Sequence, residues 1–294
     1  MEIMKLIPDS IYLKIQFRKK FGRKLNLKNP LTFNEKMQWL KLYDRNPKYT
    51  VLVDKYEVKK IVSQVLGKQY IIPTIGVWDK FDDIDFDDLP NQFVLKCTHD
   101  SGGLVICLNK KSLKRNEYKE KIEKCLKNNF YYLGREWPYK NVKPRIIAEP
   151  LMSNSNDNKN LKNELTDYKF MCFNGKVKCL FVCTERFSAD GLKVNFFDRD
   201  WNALPFERYY PRSLKIINKP VNYNEMIMFA EKLSENIPFV RVDFYEIDNK
   251  IYFGEITFYP GSGMEEFKPS EWDRKLGDWI QLPIKKGEKV WRII

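Results

Sequence analysis

Phe93-Val94-Leu95-Lys96-Cys97-Thr98-His99-Asp100-Ser101-Gly102-Gly103 reads as an apolar strand that ends on a lysine and runs into a small glycine turn. Leu104 to Leu108 is apolar again, so the two runs predict a hairpin with a flexible tip. Glycines let backbone N–H groups close on phosphate oxygens, and a strand-borne lysine is a point charge aimed at the same place. The other reading is an ordinary hairpin turn with a surface lysine, since the stretch does not match GxxxxGK[ST]. His99 is open in the same way, as a turn residue or as a phosphate donor.

On the N-terminal side, residues 1–50 read as helices. Thr32 followed by Glu35 is a capping box opening LTFNEKMQWLKLYD, with Phe33, Met37, Leu40 and Trp39 as its buried stripe. A helix is expected from Lys55 to Leu66, stopped by Gly67, and a short strand from Tyr70 to Ile72 before Pro73. Asp79 to Asp88 is an acidic loop, and a Lys-rich helix is expected from Lys111 to Asn128. From Pro144 onward the apolar period becomes two, which predicts a β-rich second lobe. Its elements are a strand at Ile146–Ala148, a polar loop at Met152–Lys162 and a hairpin of Tyr168–Phe173 with Lys176–Cys183. A helix at Asn224–Asn236 and strands at Phe239–Ile247 and Lys250–Phe258 follow. Asn174-Gly175 supplies the two positive φ angles of a type I′ turn. Composition never shifts sharply enough to mark a linker, so two intimate lobes are expected.

The 294 residues suffice for a large core, and 43% hydrophobic with 31% charged residues is an ordinary globular composition, not a disordered or collagenous one. Lys and Arg number 52 against 39 Asp and Glu, and the net charge of +13 favours polyanionic partners without choosing among them. No recognition motif supports nucleic acid. The six cysteines form no CxxC pair and there is one histidine, so a Cys/His zinc site is not expected. Four cysteines lie in apolar runs and read as reduced core residues, which points to the cytoplasm. No secretory signal pattern or membrane span is visible.

Chemistry concentrates near the C-terminal strands. Arg241 and Asp243 share one strand face, and Glu255 and Thr257 share another. A two-residue turn at Asp248-Asn249 pairs position 243 with 254 and separates the carboxylates, whereas a three-residue turn pairs 243 with 255. In the second register two carboxylates and a hydroxyl form a hard-oxygen site suited to Mg²⁺. Otherwise they are polar residues on a solvated face. Lys169, in Asp167-Tyr168-Lys169-Phe170, either snorkels from its strand or points at a ligand. Glu149, in Arg145-Ile146-Ile147-Ala148-Glu149-Pro150-Leu151, ends a strand at the lobe boundary, where backbone groups can meet an adenine edge. Asp85-Phe86-Asp87 and Asp198-Arg199-Asp200 match the DxD spacing that holds a metal on a nucleotide-sugar.

Taken in order, LTFNEKMQWLK, VDKYEVKK, FVLKCTHDSGG, IIAEPL, DYKFMCFNG, VNFFDRDW and VRVDFYEIDNKIYFGEITFYPGSG resemble the ATP-grasp superfamily, and within it the TupA-like polysaccharide-biosynthesis group. The resemblance implies an α+β ATP-grasp fold, two α+β lobes clasping a nucleotide. It divides the chain into an N-terminal helical extension (1–50), a first lobe (51–145), a second lobe (146–265) and a C-terminal tail packing on the core (266–294). It also implies that Lys55 and Lys96 contact the ATP phosphates, that Ser101, Gly102 and Gly103 form a closing flap, and that Glu149 and the backbone through Leu151 hold adenine. Lys169 resembles the phosphate-contacting lysine of the second lobe, Asp243 and Glu255 the magnesium ligands, and Arg241 the arginine that steadies an acyl-phosphate. Thr257 stands where ATP-grasp enzymes usually carry Asn, and a hydroxyl is the poorer ligand. The implied activity is ATP- and Mg²⁺-dependent amide ligation of an amine or amino acid to a uronic-acid carboxylate of an acidic glycan, or of its lipid-linked or nucleotide-linked precursor. Such a reaction belongs at the inner membrane face, with Arg186, Lys193 and Arg199 expected to bind the glycan. The rival expectation is a metal-dependent glycosyltransferase using the DxD segments.

Overall fold

In this computed structural model, residues 5–154, 165–186 and 188–284 are described. Of the Met152–Lys162 loop, residues 155–162 lie outside them.

Helix α1 (Asp9–Phe21) buries Leu13 and Phe17 against Leu25 in a small core of their own. Helix α2 (Phe33–Tyr43) opens as its sequence predicts: Thr32 Oγ1 accepts from Glu35 N at 3.3 Å, and Glu35 Oε2 accepts from Thr32 N at 3.2 Å. Phe33, Met37, Trp39 and Leu40 are buried.

A short helix α3 (Lys48–Val53) comes first, and the helix expected from Lys55 to Leu66 follows as α4 (Glu57–Val65). Asp54 stands between them, and its Oδ1 accepts from Tyr56 N and Glu57 N at 2.9 and 3.2 Å and so caps the start of α4. Arg145 secures the break, reaching Asp54 at 2.7 Å and Glu57 at 2.9 Å. Lys55 thereby stands on a turn, with its N–H bonded to Thr98 O at 3.0 Å. The strand expected at Tyr70–Ile72 is a single helical turn, Lys68–Tyr70, followed by one bridge from Ile71 to Phe253. Pro73, which has no N–H, cannot extend that pairing.

Strands β1 (Gly76–Trp78), β2 (Phe93–Cys97), β3 (Leu104–Cys107) and β4 (Ile146–Pro150) form an antiparallel sheet in the order β1-β4-β2-β3. Phe93, Leu95, Cys97, Ile146 and Ala148 fill its core together with Ile122 of helix α5 (Arg115–Leu126). Because β4 joins this sheet, the step to the second sheet falls after Pro150 rather than at Arg145. A short helix α6 (Tyr131–Gly134) precedes β4.

Strands β5 (Asp167–Phe173), β6 (Lys176–Thr184), β7 (Lys193–Asp198), β9 (Phe239–Ile247) and β10 (Lys250–Thr257) form a second antiparallel sheet, ordered β10-β9-β5-β6-β7, and the two-residue strand β8 (Glu207–Arg208) stands outside it. Asn174 and Gly175, at φ 51° and 77°, make the predicted turn between β5 and β6. Helix α7 (Tyr223–Leu233) covers one face through Phe170, Cys172 and Phe244. The opposite face carries the charged residues described below. Strand β11 (Phe267–Lys268) pairs with β8, and helix α8 (Glu271–Asp278) closes the chain onto α2, where Asp273 accepts from Asn34 N at 2.9 Å.

Candidate active site

Register settles how the carboxylates meet. Ile247 pairs with Lys250, so the turn is the two-residue Asp248-Asn249, at φ 50° and 59°. Left to itself this turn would set position 243 against 254. A β-bulge between Phe253 and Ile256 adds one residue, and beyond it Val242 pairs with Ile256 and Arg241 with Thr257. Both Gly254 and Glu255 therefore stand opposite Asp243. Neither register read from the sequence is the observed one: the turn is the short one, yet the carboxylates converge.

On the adjoining strand Lys169 pairs with Asp243 and Met171 with Arg241. Asp167, two residues before Lys169, shares its face. The outcome is a compact charged cluster. Lys169 Nζ lies 2.6 Å from Asp167 and 2.5 Å from Asp243. Arg241 holds Asp243 in a two-point contact, both at 2.7 Å, and reaches Glu255 Oε1 at 2.6 Å. Thr257 Oγ1 is 3.4 Å from the same Glu255 oxygen.

Burial sets the protonation of this cluster against its neighbours. It pushes Asp243 up, with Asp167 and Glu255 adding to the push against Arg241 and Lys169. It also works to raise Glu255, but Arg241, Lys169 and Lys55 outweigh it and hold that carboxyl at about 2. Burial opposes the charge on Lys169, yet Asp243 and Asp167 keep its ammonium above the ordinary lysine range. Asp243, Glu255 and Asp167 meet Lys169 and Arg241, with Arg186 3.9 Å from Asp167, and the buried Asp167 Oδ1 has no hydrogen-bond partner. Three carboxylates with an orphaned oxygen among them are the donor set a divalent cation takes.

The first sheet presents the facing half. Glu149 is buried and receives Lys96 at 2.6 Å as well as Lys59. Burial would raise Glu149, but Lys96 and Lys59 lower it. The Lys55 ammonium donates to the Asp100 carbonyl, at the start of the glycine turn. Gly102 sits at φ 111° and requires glycine, and a Cβ on Gly103 would fall 2.5 Å from the Asp100 carboxylate, which would have to swing aside. Ser101 shares a cavity of about 330 Å³ with Arg241, Glu255, Thr257, Tyr139 and Ser262.

One wall of that cavity is the loop Pro260–Gly263, in which Gly261, Ser262 and Gly263 take φ of 53°, 57° and 59°. Lys41, buried on α2, holds this loop, donating to Ser262 O at 2.7 Å, Ser262 Oγ at 2.8 Å and Gly134 O at 2.8 Å. Burial drives its ammonium down to about 8, against the pull of the buried Glu136.

The predicted glycan-binding residues part company. Arg186 stands 3.9 Å from Asp167. Arg199 pairs with Glu231 on α7, on the far side of the sheet. Lys193 pairs with Thr184, whose parity is that of Val182 and Phe170, also the α7 face. Leu151 follows β4 directly, half-buried. The DxD carboxylates serve their own loops: Asp198 accepts from Asp200 N and Asn202 N at 2.9 and 2.8 Å, and Asp85 accepts from Asp87 N at 2.9 Å.

Sequence reasoning passed over Lys59, Asp167, Lys41 and Glu136. Asp167 was accessible through its two-residue spacing from Lys169, and Lys59 through its helical spacing from Lys55. Lys41 carried no such signal, because a lysine next to an apolar helix stripe reads as solvent-facing.

A glycine turn with Lys55 and Lys96 on one sheet thus faces carboxylates, a lysine and an arginine on the other, a charged cleft of the kind that nucleotide-binding folds present. The family profile described as TupA-like ATPgrasp matches residues 35–281, and the chain belongs to that family. Solved structures with a similar fold include a D-alanine-D-alanine ligase from Helicobacter pylori, at 14% identity, covering 72% of this chain and 53% of that one with a TM-score of 0.40. The D-alanine-D-alanine ligase from Bacillus anthracis complexed with ATP is similar at 16% identity, 78% and 65% coverage and a TM-score of 0.43. The ATP-grasp ligase PsnB, complexed with minimal precursor, Mg and ADP, is similar at 9% identity, 76% and 57% coverage and a TM-score of 0.40. The chain thus spans between half and two thirds of the length of these structures. No curated protein matches it. Among the described residues no helix is long and apolar enough to cross a membrane.

Proposed function

We propose that this chain is an ATP-dependent carboxylate–amine ligase of surface-polysaccharide biosynthesis, joining an amine or amino acid to a uronic-acid carboxylate through an acyl-phosphate. The observation that carries the reading is the convergence of Asp243, Glu255, Lys169 and Arg241 on one sheet face, of which Arg241 and Glu255 share with Ser101 of the glycine turn a cavity large enough for an acceptor group.

In this reading Asp243 and Glu255, with Thr257, hold Mg²⁺, which when bound neutralises phosphate oxygens. Lys55, Lys96 and Lys169 take the charge that spreads over the transferring phosphoryl group. Glu149 sets the direction of Lys96 by holding its ammonium, and Lys59 shares that carboxylate. Arg241 is placed to steady the carboxylate that attacks and the acyl-phosphate that results. Ser101 to Gly103 keep water from that intermediate, so the incoming amine is the nucleophile that displaces phosphate. The cavity between Ser101 and Ser262 receives the acceptor, and Arg186 beside Asp167 extends the basic surface toward an acidic glycan. The net charge of +13 supports an acidic substrate at the inner membrane face.

Calorimetric titration with Mg-ATP against a panel of UDP-sugars tests the nucleotide half, with Lys96→Ala and Asp243→Asn beside the wild type. Mg-ATP binding lost in both variants is the expected result. Binding of a UDP-sugar with ATP ignored would overturn the reading. Phosphate release that requires both a uronic acid and an amine tests the other half.

A further inference from the structure

We propose that Cys97, Asp100 and Cys125 form a site for a borderline-soft divalent cation of the zinc class, separate from the carboxylate cluster of the second sheet. Cys97 ends β2, Asp100 lies in the glycine turn three residues on, and Cys125 comes from the last turn of α5. One ligand atom from each lies within 4.8 Å of both others. Two ligands about 2.3 Å from a tetrahedral centre stand roughly 3.8 Å apart, so the three need only small adjustments to share one ion. Water completes the fourth position.

A second, independent observation points to the same ion. Asp100 is 7% exposed, and its Oδ1 is buried with no hydrogen-bond partner. Burying an unpaired carboxylate oxygen is costly, and an absent ion is one of the few accounts of such an atom. The three groups already lean on one another: the Cys125 thiol interacts with both Asp100 and Cys97, and Cys97 Sγ also lies 3.8 Å from Ile122 O. Burial pushes both thiols up, so without metal they carry their protons. Binding a divalent cation displaces the two thiol protons to solvent and transfers no electron. Cys125 is only half-buried, which gives the ion a path of entry. His99 Nε2, 3.1 Å from both Cys125 O and Asn128 O, pins the end of α5 beside the site.

The site ties the glycine turn to α5. The Asp100 carbonyl takes the Lys55 ammonium and Ser101 follows directly, so an ion on the Asp100 side chain fixes the base of the turn that faces the second sheet. The linear sequence conceals this, since Cys125 lies on a different element from the other two ligands and no CxxC pair marks it.

Co²⁺ titration into the chelator-treated, reduced full chain tests the proposal without reference to catalysis. A thiolate-to-cobalt charge-transfer band with tetrahedral d–d bands, saturating at one ion per chain and removed by Zn²⁺, is expected. Cys125→Ser should abolish the band, and Asp100→Asn should weaken Co²⁺ binding by roughly tenfold or more. Cys107→Ser, a buried cysteine of the same sheet, should leave it intact and serves as the folding control. No thiolate band in the wild type, an unchanged band in Cys125→Ser, or a Cys97–Cys125 disulfide in the native protein by thiol counting would overturn the assignment.

Discussion

Lys169 stands directly across the strand pair from Asp243, and its ammonium also contacts Asp167 from its own strand. One cation thus serves two buried carboxylates, and the cluster is assembled by strand register alone, with no loop needed to position it.

Removing that cation exposes the arrangement. Lys169→Met should lower stability by about 3 to 5 kcal/mol, the usual cost of leaving a buried charge unpaired. Adding Asp167→Asn should recover part of the loss, because the carboxylate left with only the more distant Arg186, at 3.9 Å, is then gone. Urea denaturation of the two single variants and the double variant checks this, and strict additivity would show that Lys169 does not couple to Asp167.

Gly254 makes room for Glu255. A Cβ there would stand 3.1 Å from the Asp243 carbonyl oxygen and 3.1 Å from the Tyr245 ring. Backbone cannot give way as a side-chain end can, so Gly254→Val should cost about 1 to 3 kcal/mol. It should also pull Glu255 off Arg241. Thermal denaturation and Mg-ATP calorimetry together check it, with a larger loss of binding than a stability-matched surface variant shows.

Much of this architecture is legible in the sequence, and the reasons for success and failure are local. Asn174-Gly175 and the Thr32/Glu35 pair announce a turn and a helix start, because both act through neighbours in the chain. The helix after Lys55 is legible from its apolar spacing and Gly67, whereas the Arg145 contacts that fix its start at Asp54 and Glu57 are tertiary. The bulge at Gly254 could not be foreseen from alternation, which counts residues on one strand and not their partners on the next. The contact of Lys41 with Ser262 and the approach of Cys125 to Cys97 are tertiary, and no spacing encodes them.

Lys41 tests whether the left-handed loop is held from below. Lys41→Met removes the donor to Ser262 Oγ and Gly134 O, leaves Ser262 O with Gln38 Nε2, and takes from Glu136 its nearby cation, so a loss of about 3 kcal/mol or more is expected. The double variant Lys41→Met/Glu136→Gln should be more stable than Lys41→Met alone. Calorimetric melting of the four proteins of this cycle gives the coupling, and a double variant no better than the single one would mean that Glu136 does not depend on Lys41.

The acid side of the stability profile should carry the signature of Glu255. Its carboxyl is held at about 2, below the ordinary 4.5, because Arg241, Lys169 and Lys55 outweigh burial. A group depressed in the folded state stabilises it fully above the unfolded value, and the contribution drains away as pH falls through the folded one. The window therefore runs from about pH 5 down to about pH 2. Asp243 shifts the opposite way, so the folded state holds its proton longer and the two slopes partly cancel in the wild type. Glu255→Gln removes one of them. The stability gap between wild type and Glu255→Gln should shrink steadily as pH is lowered across this window, by a modest amount because the side chain keeps 42% exposure. Chemical denaturation at several pH values measures the gap, and one independent of pH would show that Glu255 is not held by the Arg241 contact.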